Sequence, residues 1–309
     1  MLPTNKEHNY LSIVIALNRN NKNLESLLTN ITEFCQKNFH NFEIIIVDNN
    51  APKDNVNSLI NKVINSNLHI NLVTLPYELK KEQAILSGVD ASIGDYVFEF
   101  EDTMLDYSHQ DLWKMYQACL SGNDIVSLKP NYKLSFFTLI FYKLLNKYSN
   151  TNNNLYHSRV NLLSRRAINR VGSMNKVIYY RKYTYSNSGL KYALIEYNSI
   201  LNNKYKPRLN LANIDFGIDV TIIFTNLGYQ ISIIFSLLFA TISIFALLYS
   251  IFAYIIFNVA NGWTTIMLLL SVSFTGIFVC FGIVIKYLSL IILNQRHDIS
   301  KVASKKRVL

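Results

Sequence analysis

Tyr10-Leu-Ser-Ile-Val-Ile-Ala-Leu17 decides the fold: an apolar, β-branched run that stops at Asn18-Arg-Asn-Asn-Lys-Asn23 and gives way to Leu24, Leu27, Leu28 and Ile31 at helical spacing. That order predicts strand, polar loop, helix. The unit recurs. Phe42-Glu-Ile-Ile-Ile-Val47 runs into Asp48-Asn-Asn-Ala-Pro-Lys-Asp54 before helical spacing through Val56, Leu59, Ile60 and Val63. Ile70-Asn-Leu-Val-Thr-Leu75 predicts a third strand, Glu82 to Ala91 a helix, and Asp95-Tyr-Val-Phe-Glu-Phe100 a fourth strand. Near-continuous apolar strands alternating with helices predict an α/β fold with a mainly parallel sheet covered on both faces. Ligands of such sheets bind beyond the carboxyl ends of the strands. The polar groups expected there are Asn18 to Asn20, Asp48 to Asn50 and Glu101 to Asp106.

Outward from this core, the 309-residue chain is 50% hydrophobic and 16% charged, which excludes disordered and collagen-like classes. Its net charge of +10 is unevenly spread: residues 1–130 hold 10 Lys/Arg against 16 Asp/Glu, and residues 131–309 hold 20 against 4. A basic, apolar second half suits an anionic membrane surface or a phosphorylated ligand. Nucleic acid is not expected as a partner, because much of this half reads as lipid-embedded.

From Ile231 to Ile285 there is no Asp, Glu, Lys or Arg, and Asn258-Val-Ala-Asn-Gly262 interrupts the run. Residues 231–257 and 263–285 are each long enough for a hydrocarbon core of about 30 Å, so a transmembrane helical hairpin is expected. Lys204, Lys206 and Arg208 precede it, and Arg296, Lys301, Lys305, Lys306 and Arg307 follow it, which puts both ends on the cytoplasmic face of the inner membrane. Lys286 is expected to snorkel toward the headgroups. The polar stretch Met1 to Tyr10 does not read as a signal peptide. Leu134 to Lys147, apolar around much of its girth with lysines at its ends, reads as an interfacial helix or as one packed on the sheet. Cys35, Cys119 and Cys280 have no CxxC spacing, so reduced thiols and no zinc site are expected.

Two loops carry candidate chemistry. Asp48 could accept hydrogen bonds from a base or ribose, and a helix cap or turn role is equally open. Glu101-Asp-Thr-Met-Leu-Asp106 offers several carboxylate oxygens that could hold Mg²⁺ or Mn²⁺ against a diphosphate and neutralise it as it departs; a surface turn is the alternative.

Taken in order, these segments resemble family 2 glycosyltransferases of the polyprenyl-phosphate type, the dolichyl-phosphate mannose synthases and bactoprenol glucosyltransferases. Ser12-Ile-Val-Ile-Ala-Leu-Asn-Arg-Asn-Asn-Lys-Asn-Leu24 lies where that family writes SVVVPVYNEEENL, and Val47-Asp-Asn-Asn-Ala-Pro-Lys-Asp54 where it writes VDDGSTDG. Lys81 to Asp95 resembles KEAALLAGLDAARGD, Phe141 to Leu145 resembles FYRLL, Leu162 to Arg166 resembles LLSRR, and the stretch from Gly262 to Leu293 resembles the second hairpin helix. The departures are specific. The DAD metal motif falls on Glu101-Asp102-Thr103, Arg159 stands for an acid, and Asn161 stands for an arginine.

The resemblance implies a GT-A type nucleotide-sugar domain over residues 1–130, an acceptor-side and membrane-interface segment over 131–230, the hairpin and exit helix over 231–294, and a basic cytoplasmic tail over 295–309. It implies an inverting transfer from a nucleotide-diphosphate sugar, a UDP-sugar above all, to a polyprenyl phosphate for cell-surface polysaccharide or O-antigen. Ala16, Asn18, Asn20, Asp48, Asn49 and Lys81 would hold the donor. Glu101, Asp102 and Asp106 would hold Mg²⁺ or Mn²⁺, and Glu101, Asp102 and Arg159 would act in catalysis. Lys129, Lys133, Arg159, Arg165 and Lys204 would meet the acceptor phosphate. A phosphate acceptor is already ionised and needs less base assistance than a hydroxyl, and a guanidinium suits its oxygens. The rival expectations are transfer to a lipid or glycan hydroxyl and a non-catalytic scaffold, and a homo-oligomer is compatible with each of them.

Overall fold

The computed structural model describes residues 6–17, 23–50, 70–132, 134–149, 151–174, 178–200 and 211–225, scattered residues between 227 and 291, and the strand at 305–308. Two compact units divide the chain: residues 1–142, 151–208 and 298–309 form one, and 143–150 with 209–297 the other.

In the first unit, β1 (Leu11–Leu17), β2 (Phe42–Asp48), β3 (Ile70–Thr74) and β4 (Tyr96–Phe100) run parallel, as their alternation with helices predicts. The sheet continues through β5 (Ile125–Pro130), β6 (Val160–Ser164) and β7 (Tyr192–Tyr197), and its order is β7-β5-β6-β4-β1-β2-β3-β8. β6 is antiparallel to β4 and β5, and β8 (Lys305–Val308) is an antiparallel edge beside β3. Two expectations are corrected here. The sheet does not end near residue 130, because β6 and β7 come from the segment read as an interface linker, where Val-Asn-Leu-Leu and Tyr-Ala-Leu-Ile are too short to separate from helix by period alone. The basic residues 305–308 pair with a sheet edge and do not form a free tail.

α1 (Leu24–Asn38) buries Leu24, Leu27, Ile31 and Phe34 on one face of the sheet. α3 (His109–Leu120) covers the same face, begun by a Ser108/Asp111 capping box that satisfies its first amides. α2 (Lys81–Ala91) lies on the other face. A Cβ at Gly88 would fall 2.5 Å from Val14 and 2.7 Å from Val47, so only glycine lets α2 sit this close to β1 and β2. As a crossover helix between parallel strands, α2 starts at their carboxyl edge, which places Lys81 there. The expected helix through Val56 to Val63 lies outside the described residues.

α4 (Phe136–Tyr148) turns Phe136, Phe137 and Leu139 to solvent and lays Phe141 and Tyr142 on Tyr180, with ring centroids of Phe141 and Tyr180 6.1 Å apart. The helix therefore packs one face within the protein and leaves another apolar and exposed.

In the second unit, α7 (Leu211–Phe224) is followed by residues that are helical wherever they are described from Leu227 to Ile291. Gly228 meets Tyr287 and Gly276 meets the Phe239 ring, where a Cβ would lie 2.0 Å from a ring carbon. These contacts pair the stretches in opposite chain directions. Among the described residues no helix is long and apolar enough to cross a membrane, and most of 231–257 and 263–285 lies outside them. Lys286 does not reach freely to headgroups: its Nζ pairs with Asp219 at 2.8 Å and Asp215 at 3.4 Å, one turn apart on α7.

Candidate active site

A polar row crosses the sheet on the face opposite α1 and α3. Glu99 of β4 pairs with Asn161 of β6, which pairs with Ser127 of β5. All three are buried. Asn161 Oδ1 accepts from Ser127 (2.7 Å) and Ser158 (2.9 Å), and its amide nitrogen stands 3.5 Å from both Glu99 and Glu101. A buried carboxylate in an otherwise apolar strand needs a charged partner. That partner is Arg181, the first residue of α6 (Arg181–Ser186), which follows α5 (Arg165–Ser173), and it is fully buried. Its Nε lies 3.0 Å from Glu82, Nη1 2.6 Å from Glu99 and Nη2 2.9 Å from Glu101. Tyr185 donates to the other oxygen of Glu99.

At the carboxyl edge, Glu101 gathers three cations. Lys81 Nζ is 2.9 Å from Oε2, Arg181 reaches Oε1, and Lys182 Nζ is 3.6 Å away. Burial pushes the Glu101 carboxyl upward, but Lys182, Lys81 and Arg181 outweigh that and hold it well below the usual carboxylate range. Glu99 goes the other way: burial raises it more than Arg181 and Tyr185 lower it. Beside them, buried Arg159 pairs with Asp102, and its Nε stands 3.4 Å from Asp106. Asp106 also accepts from Tyr197 at 2.8 Å, and burial keeps its carboxyl raised despite Arg159. His157 is driven down to about 3 by burial, with Lys182 and Arg159 adding to the effect, so it is neutral at pH 7.

Arg159, Lys81, Glu101, Asp102 and Asp106 are thus brought together, while several other expected residues stand elsewhere. Arg165 lies at the opposite end of β4, donating to the Gly94 carbonyl at 2.9 Å, because β6 runs antiparallel and carries its far end away from the site. Asn49 spends both side-chain groups on the backbone of Leu79, at 2.9 and 2.7 Å, and braces the loop before α2; its amide is not offered to a nucleoside. Lys129 stands at the same edge two strands away, 2.7 Å from Glu196. Ala16 and Asp48 occupy the ends of β1 and β2, where a nucleoside is expected. Asn18, Asn20, Lys133 and Lys204 lie outside the described residues.

The expected metal ligands do not fit a resident dication. Both Glu101 oxygens are engaged by cations, and Asp106, 2% exposed, points inward to Tyr197 and Arg159. Thr103 is buried where a further carboxylate is expected. Of the three acids, Asp102 keeps substantial exposure, at 41%, and it is held by Arg159. Among the described residues no group of three acidic, His or Cys side chains is placed to hold a metal ion. Glu82, Glu99, Arg181, Lys182 and His157 were not singled out in the sequence, although Glu99 inside Tyr96-Val-Phe-Glu-Phe100 signals a buried cation.

A doubly wound α/β domain with its charged cluster at the carboxyl edge of the parallel strands defines the GT-A class of architecture. Residues 12–172 match the glycosyl transferase family 2 description, and the chain belongs to that family. A curated relative is the undecaprenyl-phosphate 4-deoxy-4-formamido-L-arabinose transferase of Aeromonas hydrophila, 24% identical over 144 residues. That match covers 46% of this chain and 44% of the relative, so the chain spans less than half the length of the relative. Glucosyl-3-phosphoglycerate synthase of Mycobacterium tuberculosis, solved with phosphoglyceric acid, shares the fold with a TM-score of 0.50 and 14% identity over 69% of this chain and 78% of that one. A mannosyltransferase of Pyrobaculum calidifontis, solved with GDP-Man and Mn²⁺, gives a TM-score of 0.44 and 14% identity over 62% and 56% of the two chains.

Proposed function

We propose that this chain moves a sugar from a nucleotide-diphosphate sugar to a polyprenyl phosphate at the cytoplasmic face of a membrane. The observation that carries this reading is Arg159: a buried guanidinium, paired with the half-exposed Asp102 at the carboxyl edge, stands where family members write an acid. A site that receives a neutral hydroxyl needs a base. Here Glu101, Asp102 and Asp106 are each ion-paired, an arrangement that suits an acceptor already carrying its negative charge.

The acceptor's phosphate oxygen forms the new bond to the anomeric carbon as the bond to the donor diphosphate breaks, the electron pair leaves with the diphosphate, and no proton moves. Arg159 holds the acceptor oxygens in this reading, and Asp48 faces the nucleoside. The relative's use of undecaprenyl phosphate favours that lipid. Membrane attachment is supported by the uncharged run from Ile231 to Ile285 and by exposed apolar helical residues such as Ile234, Phe245, Phe274 and Phe281.

The test is incubation of the full chain with undecaprenyl phosphate and labelled UDP-, GDP- and dTDP-sugars. A butanol-extractable labelled lipid is expected with one donor, and Arg159→Ala should raise KM for the lipid phosphate more than KM for the donor. Absence of labelled lipid with every donor would sink the reading.

A further inference from the structure

We infer that Lys81, anchored on Glu101, supplies the positive charge that meets the donor's diphosphate, in the place where relatives rely on a divalent ion. This rests on the nucleotide-sugar reading above. The observation is an inversion of charge at one carboxylate: Glu101, aligned with the first acid of the family's metal motif, is the shared partner of Lys81, Arg181 and Lys182. A dication bound to Glu101 would sit within a few ångströms of all three. Each of them would repel it twice as strongly as it would a single charge at the same distance.

The three cations differ in reach. Arg181 is fully buried and shared with Glu82 and Glu99, and Lys182, 11% exposed, lies 3.1 Å from the Ser158 carbonyl. They are positioning residues that fix Glu101. Lys81 is 46% exposed, stands on the first residue of α2 at the carboxyl edge, and has a flexible stem, so its ammonium can be shared between Glu101 and an incoming anion. The brace from Asn49 to Leu79 fixes the approach to α2 and so where that ammonium begins. The departing diphosphate gains one negative charge when its bond to the sugar breaks. A charge already in place offsets that gain without reorganisation.

Nucleotide binding by the full chain in detergent, measured by calorimetry with UDP, GDP and dTDP as probes, tests the inference. Each probe is titrated in EDTA and again in excess Mn²⁺. One diphosphate should bind with a Kd that agrees within about twofold between the two conditions. Lys81→Ala should weaken binding in EDTA about tenfold without lowering the melting temperature, because that side chain is half exposed. Binding that appears only with Mn²⁺, or a Lys81→Ala protein that binds normally, overturns the inference and leaves the transferase reading standing. No diphosphate binding in either condition overturns both.

Discussion

Arg181 shows what a single buried residue must do here. It pairs with Glu82, Glu99 and Glu101 from one fully buried guanidinium, so its removal takes the cation from Glu82 and Glu99 in a low-dielectric interior, while Glu101 keeps Lys81 and Lys182. Breaking a buried ion pair from one side typically costs about 3 to 5 kcal/mol. Arg181→Met should therefore lower the thermal midpoint sharply, and Arg181→Lys should recover only part, since an ammonium gathers its donors on one atom and does not span three carboxylates as the planar guanidinium does; melting curves of the purified chain decide this. His157 gives a second prediction, with a definite sign. Its folded value of about 3 lies below the unfolded value near 6.5, so between those values the unfolded chain binds a proton that the folded chain refuses. Stability should fall as pH drops below about 6.5, by at most about 1.4 kcal/mol per pH unit from this residue. Denaturation at pH 7.5 and 5.5 checks it, and His157→Gln should flatten the difference. Glu101, held low, adds stability that is kept above its ordinary carboxylate value and lost only in stronger acid, so it does not mask that window. Such partnerships were half legible in the sequence. Glu99 in an apolar strand requires a cation, yet nothing in spacing ties position 99 to position 181, because the pair closes through the tertiary fold.

At the scale of elements, legibility followed period and glycine. β1 to β4, α1 and α2 announce themselves through sustained apolar patterns, whereas β6 and β7 are short runs whose pairing is set by neighbours already in place. Arg159 reaches the site and Arg165 does not for one reason: β6 is antiparallel to β4, and six residues of extended chain carry them to opposite ends. The helical stretches of the second unit depend on a similarly local condition. Gly276 leaves room for the Phe239 ring, and a Cβ there would overlap it. Gly276→Val should lower the stability of the full chain in detergent, and Phe239→Ala in the same chain should restore part of the loss, a coupling expected only of residues in contact. Additive losses in that double-mutant cycle would show that the contact does not govern the packing.

For the molecule as a whole, the net charge of +10 conceals two populations, and they do not divide at the boundary that sequence composition draws. Fourteen Lys/Arg lie within residues 131–230, but Arg159, Arg181 and Lys182 among them turn into the sheet domain and are spent on its carboxylates. The acidic first half, with six more acids than bases, is thus partly neutralised from within by the basic second half. In the membrane-attached reading proposed above, apolar surface is expected to hold the chain more than charge does. Exposed Phe136 and Phe137 on α4 and the uncharged run from Ile231 to Ile285 are the surfaces involved. Charge-driven binding weakens with salt because its range falls to about 3 Å at 1 M, and burial of apolar area does not weaken in this way. Cell membranes carrying the full chain, washed first with 1 M NaCl and then with carbonate at pH 11, should therefore retain it in the pellet at both steps. Release at the salt step would mean that exposed lysines and arginines hold the chain at the surface. Release only in carbonate would mean that the run from Ile231 to Ile285 lies on the bilayer and does not cross it, since a helix spanning hydrocarbon has no route out that spares its backbone from the acyl layer.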